Sequence, residues 1–188
     1  MLSLLIPDAP RAIGGSELQL YLLARELKDK GWQVHFLVGD AGQASSIRVN
    51  KGFHVHKAYA QPDGLPPWRR LVSSLMELRA SVSKVDADVY ISRGVSGQVG
   101  ALRKFICAPD SRYILWCANN RDPKNGALTA SDLPLSERLL AWYGVRNADA
   151  VVVQTNTQRE LLKKYTGREG LLIPNVSPWG ADETCFHP

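Results

Sequence analysis

A chain of 188 residues, 45% of them hydrophobic, has ample apolar material for a core and fits one ordinary domain or a modest pair. The 23 Lys and Arg against 18 Asp and Glu leave a formal charge of +5, which suits phosphorylated ligands or an anionic surface and equally a plain solvated exterior. No apolar run approaches the roughly 18 residues of a membrane span, and the opening MLSLLIPDAP lacks the basic start and small-residue cleavage site of a secretory signal. Cys107, Cys117 and Cys185 are odd in number and lack C-x-x-C spacing, so they read as free thiols of a reducing compartment and the domain is expected in the cytoplasm.

Residues 2–6 form a brief apolar run, a predicted first strand, and residues 16–30 carry a helical pattern that ends at Gly31. Strands are predicted next over 33–38 and 53–56. The helix predicted over 67–84 sets Leu71, Val72, Leu75, Leu78 and Val82 at helical spacing, giving one core face. Strand 88–91, helix 97–106, strand 113–116, helix 134–146, strand 150–153, helix 155–166 and strand 171–173 complete the alternation. Most of the strand runs lack polar alternation, the pattern of a sheet covered on both faces. The fold class is therefore α/β: a doubly wound, mostly parallel, Rossmann-like sheet of about seven strands. No internal repeat or low-complexity tract interrupts it. Two segments fit no element: residues 119–132, NNRDPKNGALTASD, read as a long polar loop, and the tail PNVSPWGADETCFHP reads as a linker or domain end.

The glycine pair at 14 and 15 stands where the first loop turns into a helix. Ser16 can cap that helix, with Gln19 completing an S-x-x-Q box, and Lys28 and Lys30 suit its negative C-terminal pole. A helix N-terminus exposes unpaired N–H groups, and residues without side chains let an anion approach them. Two readings follow for Gly14 and Gly15: a phosphate-facing site, or a tight strand-to-helix turn that needs left-handed dihedrals. Neither Walker spacing nor G-x-G-x-x-G is present, which removes the main support for P-loop and nicotinamide readings.

The segment GGSELQLYLLARELKDKGWQVHFLVGD resembles the opening of the N-terminal domain in family 4 glycosyltransferases of the GT-B fold, where a GG-[AS]-E segment starts the first helix. ADAVVVQTNTQRELLKKYTGREGLLIPNV resembles that domain's last Rossmann-like unit. IPNVSPWGADETCFHP looks like the family's hinge, usually I-P-N-G-V-D followed shortly by F-x-P. The resemblance runs from about residue 2 to residue 188. It implies one half of a GT-B fold, with residues 1–174 the acceptor-side domain and 175–188 the interdomain hinge. The C-terminal donor domain, which in the family carries most sugar-nucleotide contacts and an E-x7-E element, is expected beyond Pro188. The resemblance further implies a retaining enzyme of hexosyltransferase type, in a setting such as polysaccharide biosynthesis. It would move a sugar from a nucleoside diphosphate sugar to a hydroxyl acceptor, with no cofactor and no obligatory metal. These 188 residues alone are expected to be inactive.

In open α/β sheets ligands bind beyond the carboxyl ends of the strands, where strand order reverses. With the order 3-2-1-4-5 that point lies between the first and fourth strands. The loops to inspect are 7–15, with Gly14 and Gly15, and 92–97, with Arg93 and Gly94. The resemblance implies that the Gly-Gly loop faces the donor diphosphate and that the acceptor lies across this domain. Arg93 is a candidate anion or hydroxyl contact, against the alternative of a solvated arginine after a strand. Many relatives carry a histidine after the fifth strand; here LWCANNRDPKNG offers Asn119, Asn120, Arg121 and Asp122 and no histidine. These residues suit sugar hydroxyls, with Asp122 as an acceptor, or simple turn chemistry. Gln154 and Thr155 follow the sixth strand, where a hydroxyl contact competes with helix capping by Thr155 or Asn156.

His54 and His56 share one strand face, a spacing known from metal sites; without a third ligand they read as ordinary, partly exposed histidines, and no metal site is expected. The segment PPWRRLVSSLMELRASVSK has Trp68 and the basic Arg69, Arg70, Arg79 and Lys84 against Glu77 alone. Such a helix suits weak peripheral contact with anionic lipid at the inner face of the membrane, or forms a solvated face above an apolar stripe. No recognition motif accompanies the charge, so nucleic acid is not an expected partner. Two other readings stay open: a non-catalytic binding module, and half of a GT-B-like sugar-nucleotide epimerase.

Overall fold

The computed structural model describes residues 2–3, 15–39, 47–50, 52–59, 67–106, 108–129 and 131–175. In chain order the elements are β1 (Leu2–Ser3), α1 (Gly15–Asp29), β2 (His35–Gly39), β3 (Ile47–Asn50), β4 (Phe53–Tyr59), α2 (Pro67–Val85) and β5 (Val89–Arg93). There follow α3 (Gly97–Phe105), β6 (Arg112–Trp116), α4 (Asp122–Asn125), α5 (Leu135–Asn147), β7 (Ala150–Val153), α6 (Asn156–Thr166) and β8 (Leu171–Leu172). The strands make one sheet in the order β3-β4-β2-β1-β5-β6-β7-β8, parallel throughout except for the β3–β4 pair.

The order reverses at β1, where the doubly wound reading places it: Leu2 pairs with Leu37 of β2 and with Ser92 of β5. Residues 4–6 of the predicted first strand lie outside the described residues. The sequence reading omitted β3, a four-residue edge strand that pairs antiparallel with β4 from Ile47↔His56 to Asn50↔Phe53. Gly52 enters this hairpin with φ +77, a dihedral that side chains resist. The predicted polar loop over 119–132 also contains an element: Asp122–Asn125 forms the short helix α4, with Pro123 in its first turn.

One face of the sheet is covered by a layer of helices. Leu37, Tyr90, Tyr113, Leu115, Val151 and Val153 meet Leu78 and Val82 of α2, Ala101 and Leu102 of α3, Ala141 and Val145 of α5, and Leu162 of α6. Val72 is a correction to the predicted core face of α2. It is 49% exposed, because six residues before the buried Leu78 it lies about 120° around the helix. On the opposite face α1 lays Ala24 and the half-buried Tyr21 and Leu27 over Phe36, Val38, Phe53 and Val55. Beside α1 the same face opens into an apolar groove of about 420 Å³ that includes Leu23, Val89, Ile91, Ile114 and Val152.

Cap assignments divide. Thr155 caps α6, its Oγ1 accepting from the Gln158 N–H at 3.1 Å, and Gly167 closes that helix at φ +72. Ser16, predicted as the cap of α1, sits instead inside the first turn and donates its hydroxyl to Glu17 Oε2 at 2.7 Å. The helix starts at Gly15, two residues before the Glu17 start that the S-x-x-Q pattern suggests, so that box is not formed at Ser16.

Helices α3 and α5 touch backbone to backbone. A Cβ on Gly100 would stand 1.8 Å from the Leu140 carbonyl oxygen, and one on Gly144 would stand 2.4 Å from the Gly100 Cα. Gly100→Ala must therefore push the helices apart. Overpacking of this kind costs about 1–3 kcal/mol, so the melting temperature should fall by roughly 2–12 °C. A melting temperature within error of the wild type would refute the contact.

His54 and His56 do share a face, but His56 is buried rather than partly exposed, and a third histidine joins them. His35 of β2 stacks between their rings at centroid distances of 4.7 and 5.1 Å, and its Nδ1 lies 2.9 Å from His56 Nε2. Among the described residues no group of His, Cys, Asp or Glu converges on a common metal position. Burial, then the neighbouring histidines, pushes His35 down to about 4, and burial also lowers His56. In the unfolded chain both titrate near 6.5. Between that value and about 4 the unfolded state binds more protons, so stability falls as the pH drops through this window and levels off below it. Melting curves at pH 7.5 and 4.5 should show a smaller pH-dependent loss for His35→Gln than for the wild type.

Candidate functional site

The carboxyl ends of β5, β6, β7 and β8 and the start of α1 meet at one edge of the sheet. Arg93 is the last residue of β5 and pairs in register with Trp116, the last of β6. Its guanidinium lies over the Trp116 ring at 4.4 Å, and Nη2 donates to Asn175 Oδ1 at 3.1 Å. Arg93 Nε and Nη1 and Trp116 Nε1 are buried donors that no hydrogen bond satisfies among the described residues. Burial lowers the Arg93 pKa, while the Asp122 and Glu17 carboxylates act in the opposite sense. Glu17 belongs to the first turn of α1, so that helix start lies within electrostatic reach of the arginine.

Gly94 follows with φ +83, and its N–H donates to the Trp116 carbonyl at 2.8 Å. Only glycine takes that dihedral without strain, and the turn aims the chain into α3. Gly15 is different. It is exposed, its φ is not positive, and among the described residues no heavy atom lies within 4 Å of where a Cβ would stand. Neither backbone conformation nor packing among the described residues asks for glycine at 15, which sets aside the left-handed-turn reading there. Gly14 lies outside the described residues.

The loop after β6 is organised by Asp122, which turns inward and is 3% exposed. Its Oδ2 accepts the N–H groups of Ala118 and Asn119, the Val95 N–H adds a third bond, and Arg93 acts on it through charge. Burial raises the Asp122 pKa and these bonds oppose the rise. In place of the expected hydroxyl contact, Asp122 serves as a buried clamp between the loops after β5 and β6. Asn119 is spent locally as well, its Oδ1 accepting from the Arg121 N–H at 2.8 Å, which is turn chemistry. Asn120 and Arg121 are exposed at the tip.

Gln154 ties two strand ends together. Its Nε2 donates to the Cys117 carbonyl, its Oε1 accepts from Asn175 Nδ2 at 2.7 Å, and its own N–H donates to Gln158 Oε1 at 2.8 Å. Thr155 stands beside it as the helix cap. Cys117 is a buried free thiol whose pKa is pushed up to about 12 by desolvation, too high for a nucleophile. Cys107 and Cys185 lie outside the described residues.

The edge thus gathers Gly15, Arg93, Gly94, Asp122 and Gln154, while Asn120 and Arg121 border it from the loop tip. Sequence reading passed over Trp116 and Asn175. A Trp ending one predicted strand beside an Arg just past the end of its neighbour is the signal for the first; the asparagine of the I-P-N segment is the signal for the second.

An open, mostly parallel sheet with a cation and a helix start at its switch point defines a Rossmann-like domain, and the order of elements is that of one half of a GT-B glycosyltransferase. The chain belongs to Glycosyltransferase Family 4, whose model matches residues 13–175. Among solved structures it is similar to sucrose-phosphate synthase from Thermosynechococcus elongatus at 16% identity. That match has a TM-score of 0.65 and covers 92% of this chain and 46% of the synthase. A second solved form of that synthase gives a TM-score of 0.58 at 16% identity, with 87% of each chain covered. The chain therefore spans about half the length of the first of these two. No curated protein matches significantly.

Replacing Asp122 by Ala removes the acceptor shared by the part-buried N–H groups of Ala118 and Asn119 and leaves a void at a buried position, at about 1–3 kcal/mol in total. The expected readout is a melting temperature lowered by at least several degrees, with faster amide exchange over residues 117–122.

Proposed function

We propose that this glycosyltransferase domain forms the acceptor side of a retaining, hexosyltransferase-type enzyme whose donor is a nucleoside diphosphate sugar and whose acceptor is a hydroxyl. The observation that carries the reading is the pairing of an exposed Gly15, unobstructed among the described residues, at the start of α1 with the unsatisfied donors of Arg93 across the switch point. As a glycosidic bond to a diphosphate breaks, negative charge grows on the leaving phosphate oxygens. Fixed N–H dipoles and a held cation stabilise that growth more than they stabilise the ground state. A first residue without a side chain lets those oxygens reach the amides of the helix start. Trp116 and Asn175 hold the Arg93 charge in place, so it acts on the diphosphate through its field.

In this reading residues 1–174 are the acceptor-side lobe, residues 175–188 lead toward a second, donor-binding lobe, and the cleft between the two is the reaction site. The chemistry proceeds without an obligatory metal. Half a cleft should neither hold a donor tightly nor turn it over.

The test uses a full-length enzyme in which this domain is joined to its second lobe. Gly15→Asp puts a carboxylate at the helix start, where it favours the helix dipole by about 0.5 kcal/mol and disfavours a diphosphate. Donor kcat/KM should fall about tenfold or more while the melting temperature holds or rises. Arg93→Gln, which keeps a planar donor and loses the charge, should lower kcat. Wild-type kinetics in both variants would remove this edge from the reaction.

A further inference from the structure

The outward side of the helical layer carries apolar side chains that the fold does not use. On α5, Leu135 is 67% and Leu139 49% exposed, and with the half-buried Trp142 and the exposed Arg146 they recur at i, i+4, i+7 and i+11, a stripe centred about 90–130° around the helix from the buried Val145 and Ala141. The Arg146 guanidinium lies over the Trp142 ring at 5.7 Å. Arg138 donates to the carbonyls of Leu128 and Leu133, holding the exposed Leu128 beside the same helix. On α2, Val72 and Met76, the latter 69% exposed, are flanked by the exposed Arg69 and Arg79.

Charge is concentrated on the same layer. Helices α2, α3 and α5 contain eight basic residues, Arg69, Arg70, Arg79, Lys84, Arg103, Lys104, Arg138 and Arg146, against two acidic ones, Glu77 and Glu137. Their excess of +6 accounts for more than the whole chain's +5, so the remainder is close to neutral. Glu137 is drawn into the α3 contact at Gly97, away from the outer stripe. Arg103 donates to the Asn147 carbonyl at 2.9 Å, which keeps the basic end of α3 next to the end of α5.

We propose that the outer face of α2, α3 and α5 rests on an anionic lipid bilayer, with Leu135, Leu139 and Met76 entering the headgroup boundary and the exposed Arg69, Arg79 and Arg146 meeting lipid phosphates. Basic helices with Leu and Trp on the opposite flank bind such interfaces by combining apolar burial with attraction to anionic headgroups. Attachment is in the plane of the surface, since no described helix is long and apolar enough to cross a membrane. A nucleic-acid surface would use the charge but not the exposed leucines. A protein surface of ordinary composition would use the leucines but not a +6 field.

Co-sedimentation of the 188-residue chain with phosphatidylcholine vesicles, with and without phosphatidylglycerol, tests the proposal. Binding is expected only to the anionic vesicles, and it should weaken severalfold between about 0.05 and 0.5 M salt. The Leu135→Glu/Leu139→Glu double variant should lower the affinity about tenfold or more. Met76→Glu, on a separate helix, should lower it by a smaller factor if the double variant fails to fold by circular dichroism. Absent or equal binding to the two vesicle types overturns the proposal, as does wild-type binding by folded variants. A dimer that the Leu139 change dissolves, with no vesicle binding, assigns the stripe to a second copy and overturns it too.

Discussion

Parallel pairing of β1 on both of its edges is the constraint from which the arrangement follows. Because Leu2 bonds to β2 on one side and β5 on the other, the chain winds outward in both directions from a single strand. Right-handed crossovers then put α1 on one face and α2, α3 and α5 on the other. The helices that follow β1 and β5 begin at the same sheet edge, and an exposed helix start and the end of a neighbouring strand come within electrostatic reach.

What this edge adds is rigidity around a cation. An arginine at a strand end is usually a long, mobile, solvated side chain, and ordering it costs rotamer entropy. Here that cost is borne within the domain, through a ring beneath the guanidinium and an amide at its tip. The amide belongs to Asn175, which is bonded in turn to Gln154. The last described residue is therefore tied to the ends of β5 and β7, and a shift of the segment that begins there would be felt at Arg93. Asp122 holds the next loop from below, so the tip residues Asn120 and Arg121 project from a fixed base.

The two faces of the sheet are built differently. One is sealed by helices in contact at Gly100 and Gly144, a joint that tolerates no side chain. The other is covered by α1 over β2 and β4, and its β5–β7 part presents Val89, Ile91, Ile114 and Val152 to an apolar groove. The sealed face carries its spare apolar and basic residues outward. The candidate site lies on neither face but on the edge between them, where backbone dipoles and strand ends converge.

Period and punctuation in the sequence determined the element types, the α/β class and the position of the switch point, because apolar runs of strand length between helical patterns admit few windings. The glycine pair, Arg93 and the loop after β6 were legible as candidates for the same reason: each follows a predicted strand. Whether Asp122 meets a ligand or a backbone amide, whether Val72 faces the core or solvent, and that His35 joins His54 and His56 were decided by tertiary structure alone. These outcomes depend on distances between segments far apart in the chain, and on a burial energy that no local pattern contains. The edge strand β3 escaped for the same cause, since four residues hold a strand conformation only through the partner that pairs with them.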